Sequence, residues 1–580
     1  MKVHFSTCTL IGIIGIFLMS SYSLNSQQNI HTTKPSTTET LKGDYTVVAT
    51  YNSATREELA MHISEGVNPD SLKSYLEKLV SFETRNTGSD TLSENRGIGA
   101  ARTWVYNKFE QFNKDNGTFS LVDYLEFDQG ICGMSHHKNV LMVHPGMNPD
   151  AGVIFIEGHM DSRCETSCDR DCIAQGAEDN GSGTALVMEL ARVMTKKFYE
   201  RTLVFMATTG EEQGLHGASA MAQFCLEEGV NVKAVLNNDI VGGIICGETS
   251  SPPSCEGPGS IDSTQVRIFS AGSGGSPHKS LARYIKLEYT EELLPLSAVP
   301  MQITIMSQED RGGRGGDHIP FRELGFHAVR FTAANEHGDA GIHEGYHDHQ
   351  HTSEDILGID TDGDGELDSF YLDFNYLARN TQINGLAAAM IGINPETPEI
   401  NVEQINDKVR VTIFSDEIYD TYRIGVRTNK NDFDTLYTFT GSNEVFIDAP
   451  DPNTFFFISA SVVDNDGVES CFSEESNLLI SSTEDVKVEK RKVTLYQNWP
   501  NPFDYATNIT WYIHDLQNAK KASIQITDIS GKVIATHETH AIEGFNEWLF
   551  IKPAIISGQY FYSLFIDQEL VETKNMILAF

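Results

Sequence analysis

Apolar residues recur three and four apart through the first part of the chain. Leu72, Leu76 and Leu79 are one such set, and Ile98, Ala101, Val105 and Phe109 are another. That spacing predicts helices with one buried face across roughly 56–115. From about 120 to 392 the pattern alternates. The runs Val153 to Ile156, Thr202 to Met206, Val232 to Leu236 and Ala328 to Phe331 predict strands. Between them, Gly183 to Met194, with Leu186, Leu190 and Met194 on one face, and Ser219 to Leu226 predict helices. A last helix is expected over about 374–391. This alternation predicts an α/β domain over 68–392, with a mostly parallel (mixed) sheet and helices on both faces.

Past Asn394-Pro395 and Thr397-Pro398 the period shortens to two, in Val409 to Phe414, Tyr422 to Val426 and Phe455 to Val463. Turn residues separate these runs, so a small all-β sandwich is expected over 393–482. A charged linker, 483–492, leads to a second β-rich unit, 493–580. No repeat array is visible.

The amino end reads differently. Lys2, the apolar run Leu10 to Met19 and the small residues Ser20, Ser21 and Ser23 predict a secretory signal peptide over 1–26. The run is too short to span a bilayer, and no transmembrane segment is expected elsewhere. Residues 27–67 are read as a leader or pro-segment, its polar stretch 27–45 as flexible. With 81 acidic residues against 42 Lys plus Arg, the net charge is −39, which makes nucleic acid and anionic membrane surfaces poor candidates as partners and favours solubility. Beyond residue 26 the cysteines are Cys132, Cys164, Cys168, Cys172, Cys225, Cys246, Cys255 and Cys471, an even set in a chain read as exported. Disulfides are expected, with Cys246 and Cys255 the local pair; the spacing of Cys164, Cys168 and Cys172 is not that of a zinc finger.

The chemistry is concentrated just beyond the predicted strand ends, where open α/β sheets gather ligands. His159 and Asp161 lie in GHMDS, Asp179 in GAEDNGSG, Glu211 and Glu212 in GEEQGLHGAS, Asp239 in NNDIVGG and His351 in HTSED. Imidazole and carboxylate suit zinc. Two ions close together need about five protein ligands, one of them a bridging carboxylate. Adjacent glutamates let one ligate while the other meets a water as general base. Asp161, two residues past His159, is placed to accept the second imidazole N–H.

These five motifs resemble those of the co-catalytic zinc aminopeptidases, a family that includes glutamate carboxypeptidases, over roughly 68–392. The resemblance implies a metallo-exopeptidase acting on peptide substrates with two Zn2+ per chain. His159 and Asp239 would hold one ion, Glu212 and His351 the other, and Asp179 would bridge them. Glu211 would be the general base and Asp161 the outer partner of the His159 imidazole. Some members carry a tyrosine just before the last histidine ligand, where this chain has Gln350; Tyr346 is near in sequence. His343, His347 and His349 crowd the same loop, and Thr352 and Asp355 complete the pattern around His351. Asp317 and His318 are expected to line the site, with Asp317 orienting His318.

Aminopeptidase is the leading expectation. A carboxypeptidase or dipeptidase on the same scaffold is the alternative, with Arg311, Arg314 or Arg330 as binders of a substrate carboxylate. A non-catalytic binding protein is a third reading, and a one-zinc cyclase a related fold. Asp360, Asp362, Asp364, Glu366 and Asp368 resemble the start of a calcium loop, with Gly365 at the turn and Tyr371 where the last ligand would stand. The segment FFFISASVVDNDGVES resembles the final strands of a fibronectin type III domain. LYQNWPNPF, ITDISGKVI and SGQYFYSL resemble the carboxy-terminal sorting domain of the type IX secretion system, which implies that machinery as a partner and a secreted or outer-surface location.

Overall fold

The computed structural model describes residues 28–47, 54–246, 259–272, 275–310, 315–335, 349–428, 430–448, 455–479, 493–503, 505–514, 516, 520–529, 531–553 and 557–579. The expected signal peptide and the linker up to 492 lie outside the described residues. In chain order the first domain runs β1 (Gln28–Thr32), α1 (Pro35–Leu41), α2 (Arg56–Gly66), α3 (Pro69–Val80), α4 (Gly97–Asn116), β2 (Leu121–Ile131) and β3 (Met134–His144). It continues through β4 (Val153–His159), α5 (Gly183–Met194), β5 (Thr202–Thr208), α6 (His216–Glu228), β6 (Val232–Asn238), β7 (Gln265–Ser270), α7 (Pro277–Glu288) and β8 (Gln302–Ile305). It closes with α8 (His318–Glu323), β9 (Ala328–Ala333), the short hairpin β10 (Gly358–Ile359) and β11 (Ser369–Phe370), and α9 (Phe374–Ile393).

One nine-stranded sheet, in the order β1-β2-β3-β5-β4-β6-β9-β7-β8, forms the middle layer. The central strands β5, β4, β6 and β9 are parallel, whereas β1 with β2, β2 with β3, β3 with β5 and β7 with β9 are antiparallel. With β7 and β8 as a further parallel pair, the sheet is mixed, as expected, around a parallel centre. The pattern does not predict the hairpin of β2 and β3 or the edge strand β1, because apart from Val140 to Val143 their sequences mix apolar with polar and charged positions. Residues 28–41 also correct the reading of a flexible leader: β1 hydrogen-bonds along β2, and α1 packs Leu41 into the core.

Every residue of β4 and β5 is buried, as a central strand covered on both faces requires. One face packs against α2, α3, α4, α5, α7 and α9, the other against α1, α6 and α8. Caps fix the helix starts: Thr55 and Glu58 form a capping box on α2, Asn68 precedes Pro69 on α3, and Asp373 accepts from Tyr376 N on α9. Among the described residues no helix is long and apolar enough to cross a membrane.

Two β-sandwiches follow. The first has β12 (Glu399–Ile405), β13 (Lys408–Phe414), β14 (Thr421–Arg427), β15 (Thr435–Thr440), β16 (Glu444–Asp448), β17 (Phe455–Val463) and β18 (Ser476–Leu479). The second has β19 (Val493–Leu495), β20 (Ala506–Ile513), β21 (Lys521–Asp528), β22 (Val533–His540), β23 (Gly544–Ile551), β24 (Gly558–Ile566) and β25 (Glu569–Leu578). Their sheets are β12-β13-β16 with β15-β14-β17-β18, then β19-β20-β23 with β22-β21-β24-β25, so the two units follow one and the same path.

The first sandwich is locked to the α/β domain by buried charge. Glu475 receives Arg283 of α7 at 2.8 Å and Arg427 of β14 at 2.6 Å, and its other oxygen accepts Gly275 N at 3.0 Å. Asn431 donates to Ile305 O at 2.9 Å, at the end of β8.

His144 shows how burial sets pH sensitivity. Its Nδ1 lies 2.9 Å from Ser120 Oγ and its Nε2 2.9 Å from Lys197 O. Burial pushes the imidazole down from 6.5 to about 4. Unfolded chains take up a proton near the ordinary value while the folded protein does not. Stability is thus complete above that value and is lost as pH falls toward the folded one, by about 2 kcal/mol between pH 7 and 5. Urea unfolding at those two pH values should show a shallower loss in His144→Asn than in the unaltered protein. Equal losses would refute the assignment.

Candidate metal centre

The site lies beyond the carboxyl ends of β4, β5 and β6, where four loops meet. His159 ends β4. Asp179 stands in the glycine-bounded loop that leads into α5, Glu211 and Glu212 in the turn after β5, and Asp239 directly after β6. His159, Asp179 and Asp239 bring one ligand atom each within 4.8 Å of one another, and so do Asp179, Glu212 and His351. Asp179 belongs to both groups: its Oδ1 is 3.2 Å from His159 Nε2 and its Oδ2 3.0 Å from His351 Nε2. Asp239 Oδ1 lies 3.6 Å from His159 Nε2, and Glu212 Oε2 3.2 Å from His351 Nε2. Glu211 Oε2 stands 3.9 Å from His159 Nε2.

Asp161 acts differently from expectation. The imidazole Nδ1 of His159 meets the backbone carbonyl of Asp161 at 3.0 Å, while the carboxylate is 3.6 Å away. That carboxylate instead accepts the amides of Glu211 at 3.3 Å and Glu212 at 3.2 Å, with Thr87 Oγ1 at 3.1 Å. Asp161 therefore sets the turn that carries both glutamates.

Other braces carried no sequence signal of their own. Asp355 accepts the amides of Glu178 at 2.9 Å and Asp179 at 3.0 Å, tying the His351 segment to the Asp179 loop; its place in HTSED was the only pointer. Asn180 donates to Asn238 O at 2.7 Å and accepts Gly183 N at 2.8 Å, joining the Asp179 and Asp239 loops. Arg85 is fully buried and donates to Met160 O at 2.7 Å and Gly176 O at 2.8 Å. Burial pulls its guanidinium down to about 10, against the nearby carboxylates of Asp355 and Asp161. Only the folded chain brings Asn180 and Arg85 to the site, which is why composition and spacing missed them.

Several expectations are corrected. Arg330 is fully buried and committed to Asp239 Oδ2 at 3.1 Å and Asp310 at 2.8 Å, so it holds a donor residue in place and does not face a substrate. Asp317 does not orient His318. Its Oδ2 accepts Thr208 Oγ1 at 2.5 Å, whereas His318 Nε2 meets Glu309 O at 3.2 Å. Burial pushes Asp317 up to about 7 and His318 down to about 4. Gln350 is fully buried beside His351. His349 turns to Glu354 O at 3.0 Å and stands outside both donor groups. His343, Tyr346, His347, Arg311 and Arg314 lie outside the described residues.

In the acidic turn, Asp360, Asp362 and Asp368 gather exposed oxygens, while Asp364 and Glu366 stay outside that group. Backbone amides of Gly363 and Gly365 already satisfy Asp360, at 2.6 and 2.9 Å. The cysteines form Cys132–Cys168 and Cys164–Cys172, so the loop after Asp161 is covalently stapled and its thiols are not metal ligands. Cys246 is disulfide-bonded; Cys255 lies outside the described residues.

The donor set fits zinc. His159 Nε2, Glu212 Oε1 and Asp239 Oδ1 are buried without a hydrogen-bond partner, though opposite groups stand close by. Such atoms are costly unless a cation lies where they converge. Burial pushes Glu211 well above the usual carboxylate range against the pull of His159, with Asp239 and Asp317 adding to the rise. Two imidazoles, of His159 and His351, and three carboxylates, of Asp179, Glu212 and Asp239, are the nitrogen and oxygen donors zinc takes.

The comparisons agree. A family model described as Peptidase family M28 matches residues 139–369. A "Probable zinc metalloprotease" of Leptosphaeria maculans is 33% identical over 343 residues, 57% of this chain and 75% of that protein. Another, of Pyricularia oryzae, is 32% identical over 354 residues, 58% of this chain and 67% of that protein. Among solved structures, the LapA aminopeptidase of Legionella pneumophila is similar with a TM-score of 0.42 and 20% identity, covering 60% of this chain and 78% of that one. Donor set and relatives together define a zinc metallopeptidase. The chain belongs to peptidase family M28.

Proposed function

We propose that this protein is a secreted exopeptidase of the aminopeptidase type, holding two zinc ions. The observation that carries the reading is Asp179, whose two oxygens face His159 and His351 separately. His159 and Asp239 would hold one ion, Glu212 and His351 the other, and Asp179 both. When bound, zinc supplies a Lewis acid that polarises the scissile carbonyl and lowers the pKa of a water.

The chain's own groups do the rest. The Glu211 carboxylate takes the proton of the attacking water at Oε2 and returns it to the leaving amine. Burial makes it basic enough for the first step, and the Asp161-held turn keeps it aimed. The resemblance of the five motifs to the co-catalytic zinc aminopeptidases supports a free amine as the recognised group.

The path 1-2-5 with 4-3-6-7 of the first sandwich supports a fibronectin type III-like unit. The motifs of the last unit support export through the type IX machinery.

The test compares hydrolysis of a free-amine dipeptide with its amino-blocked counterpart, with zinc counted on the same sample. Cleavage of the free-amine peptide alone, at two zincs per chain and lost on chelation, is the expected result. Cleavage of the blocked peptide would move the assignment to a carboxypeptidase.

A further inference from the structure

Resting on the exopeptidase reading, we propose that Arg163 recognises a carboxylate of the substrate and so gives the enzyme a preference for very short or acidic peptides. Arg163 follows GHMDS and reaches the edge of the donor set, with Nε 3.9 Å from Glu212 Oε2. Its side chain is 22% exposed where that of Glu212 is 2% exposed, so the guanidinium spans from the buried donors toward solvent. Nε also donates to Cys164 O at 3.2 Å and Nη2 to Glu165 O at 3.5 Å, while Nη1 makes no hydrogen bond among the described residues. Two other guanidiniums around the site, Arg85 and Arg330, are fully buried and held by the protein itself.

The loop that carries Arg163 is rigid for stated reasons. Cys168 is bonded to Cys132 at the turn between β2 and β3, and Cys164 to Cys172. Ser167 O accepts Asn86 Nδ2 at 2.9 Å and Gln213 Nε2 at 3.1 Å. Glu165 Oε1 accepts Ser353 N at 3.3 Å and Ser353 Oγ at 3.1 Å, two residues past His351. A planar guanidinium fixed in this way loses little entropy on pairing with a carboxylate.

On the exopeptidase reading the amine end of a peptide meets the metal centre, and Arg163 offers a guanidinium to an acidic group a short distance along it. In a dipeptide that group is the terminal carboxylate; in a longer peptide it is an acidic side chain.

The experiment measures kcat/KM for leucyl-alanine, leucyl-alanine amide and leucyl-glutamate α-amide, with the unaltered enzyme and with Arg163→Gln and Arg163→Lys. A charge-assisted pair predicts a preference of about tenfold or more for a carboxylate-bearing peptide over leucyl-alanine amide. A preference for leucyl-alanine assigns the terminal carboxylate, and one for leucyl-glutamate α-amide the side chain. In Arg163→Gln the ratio collapses to about one, and Arg163→Lys restores part of it. A ratio near one in the unaltered enzyme would overturn the proposal. So would an unchanged ratio in Arg163→Gln with kcat lowered for all three peptides, which would mean that Arg163 acts only through Glu212. No hydrolysis of any peptide would overturn the exopeptidase reading, and the role of Arg163 with it.

Discussion

Glu211→Gln retains zinc and loses hydrolysis by about a thousandfold, the range a positioned general base contributes. The substitution keeps the size and the backbone amide that Asp161 holds at 3.3 Å. It removes only the oxygen lone pair that takes the proton. Glu211 belongs to neither donor group, so the ligand atoms of His159, Asp179, Glu212, Asp239 and His351 stay in place. Zinc stoichiometry by elemental analysis and kcat on the same preparation separate the two roles. Near-normal kcat would remove Glu211 from the mechanism, and loss of zinc would make it a ligand.

The second large effect lies away from the chemistry. Glu475→Gln destabilises the protein by about 3–5 kcal/mol, because breaking a buried ion pair leaves uncompensated charge behind. The Glu475 and Arg283 side chains are each 1% exposed, and Arg427 is 3% exposed. Burial alone would raise the Glu475 carboxyl, yet Arg283 and Arg427 hold it below the usual range. Loss of its charge leaves two guanidiniums facing each other in a dry interface. Scanning calorimetry should show a lowered transition for the α/β domain and first sandwich together. An unchanged transition would show that the network does not hold them.

The same interface reaches the metal centre. Asn431 steadies Ile305 and Ser307; shortly beyond, Asp310 pairs with Arg330, and Arg330 with Asp239. Side-chain contacts across domains leave no periodic trace, so nothing in the hydrophobic pattern signals this link.

What could be read from sequence follows the same division. Gly183–Met194 is the helix its periodicity predicts, and β17 coincides with Phe455 to Val463, because each depends on local pattern alone. The donor residues stood out since glycine-rich turns at strand ends are local too. The hairpin of β2 and β3 was missed because its residues mix apolar with charged positions, such as Glu126 opposite Lys138. Arg330 was misread for a related reason: an arginine within an apolar run gives no hint that Asp239 and Asp310 wait for it. Asp161 was placed beside the right histidine but given the wrong task, since its own carbonyl reaches Nδ1 first.

That task has a wider consequence. One carboxylate grips the amides of two successive glutamates, so on the proposed mechanism metal retention and proton transfer are not separate heritable traits. Any drift in Asp161 retunes both at once, and selection on one is felt by the other. On the proposed role of Arg163, change in substrate range is channelled outward, to the stapled loop and its arginine, where a new side chain would alter what is chosen without disturbing how it is cut.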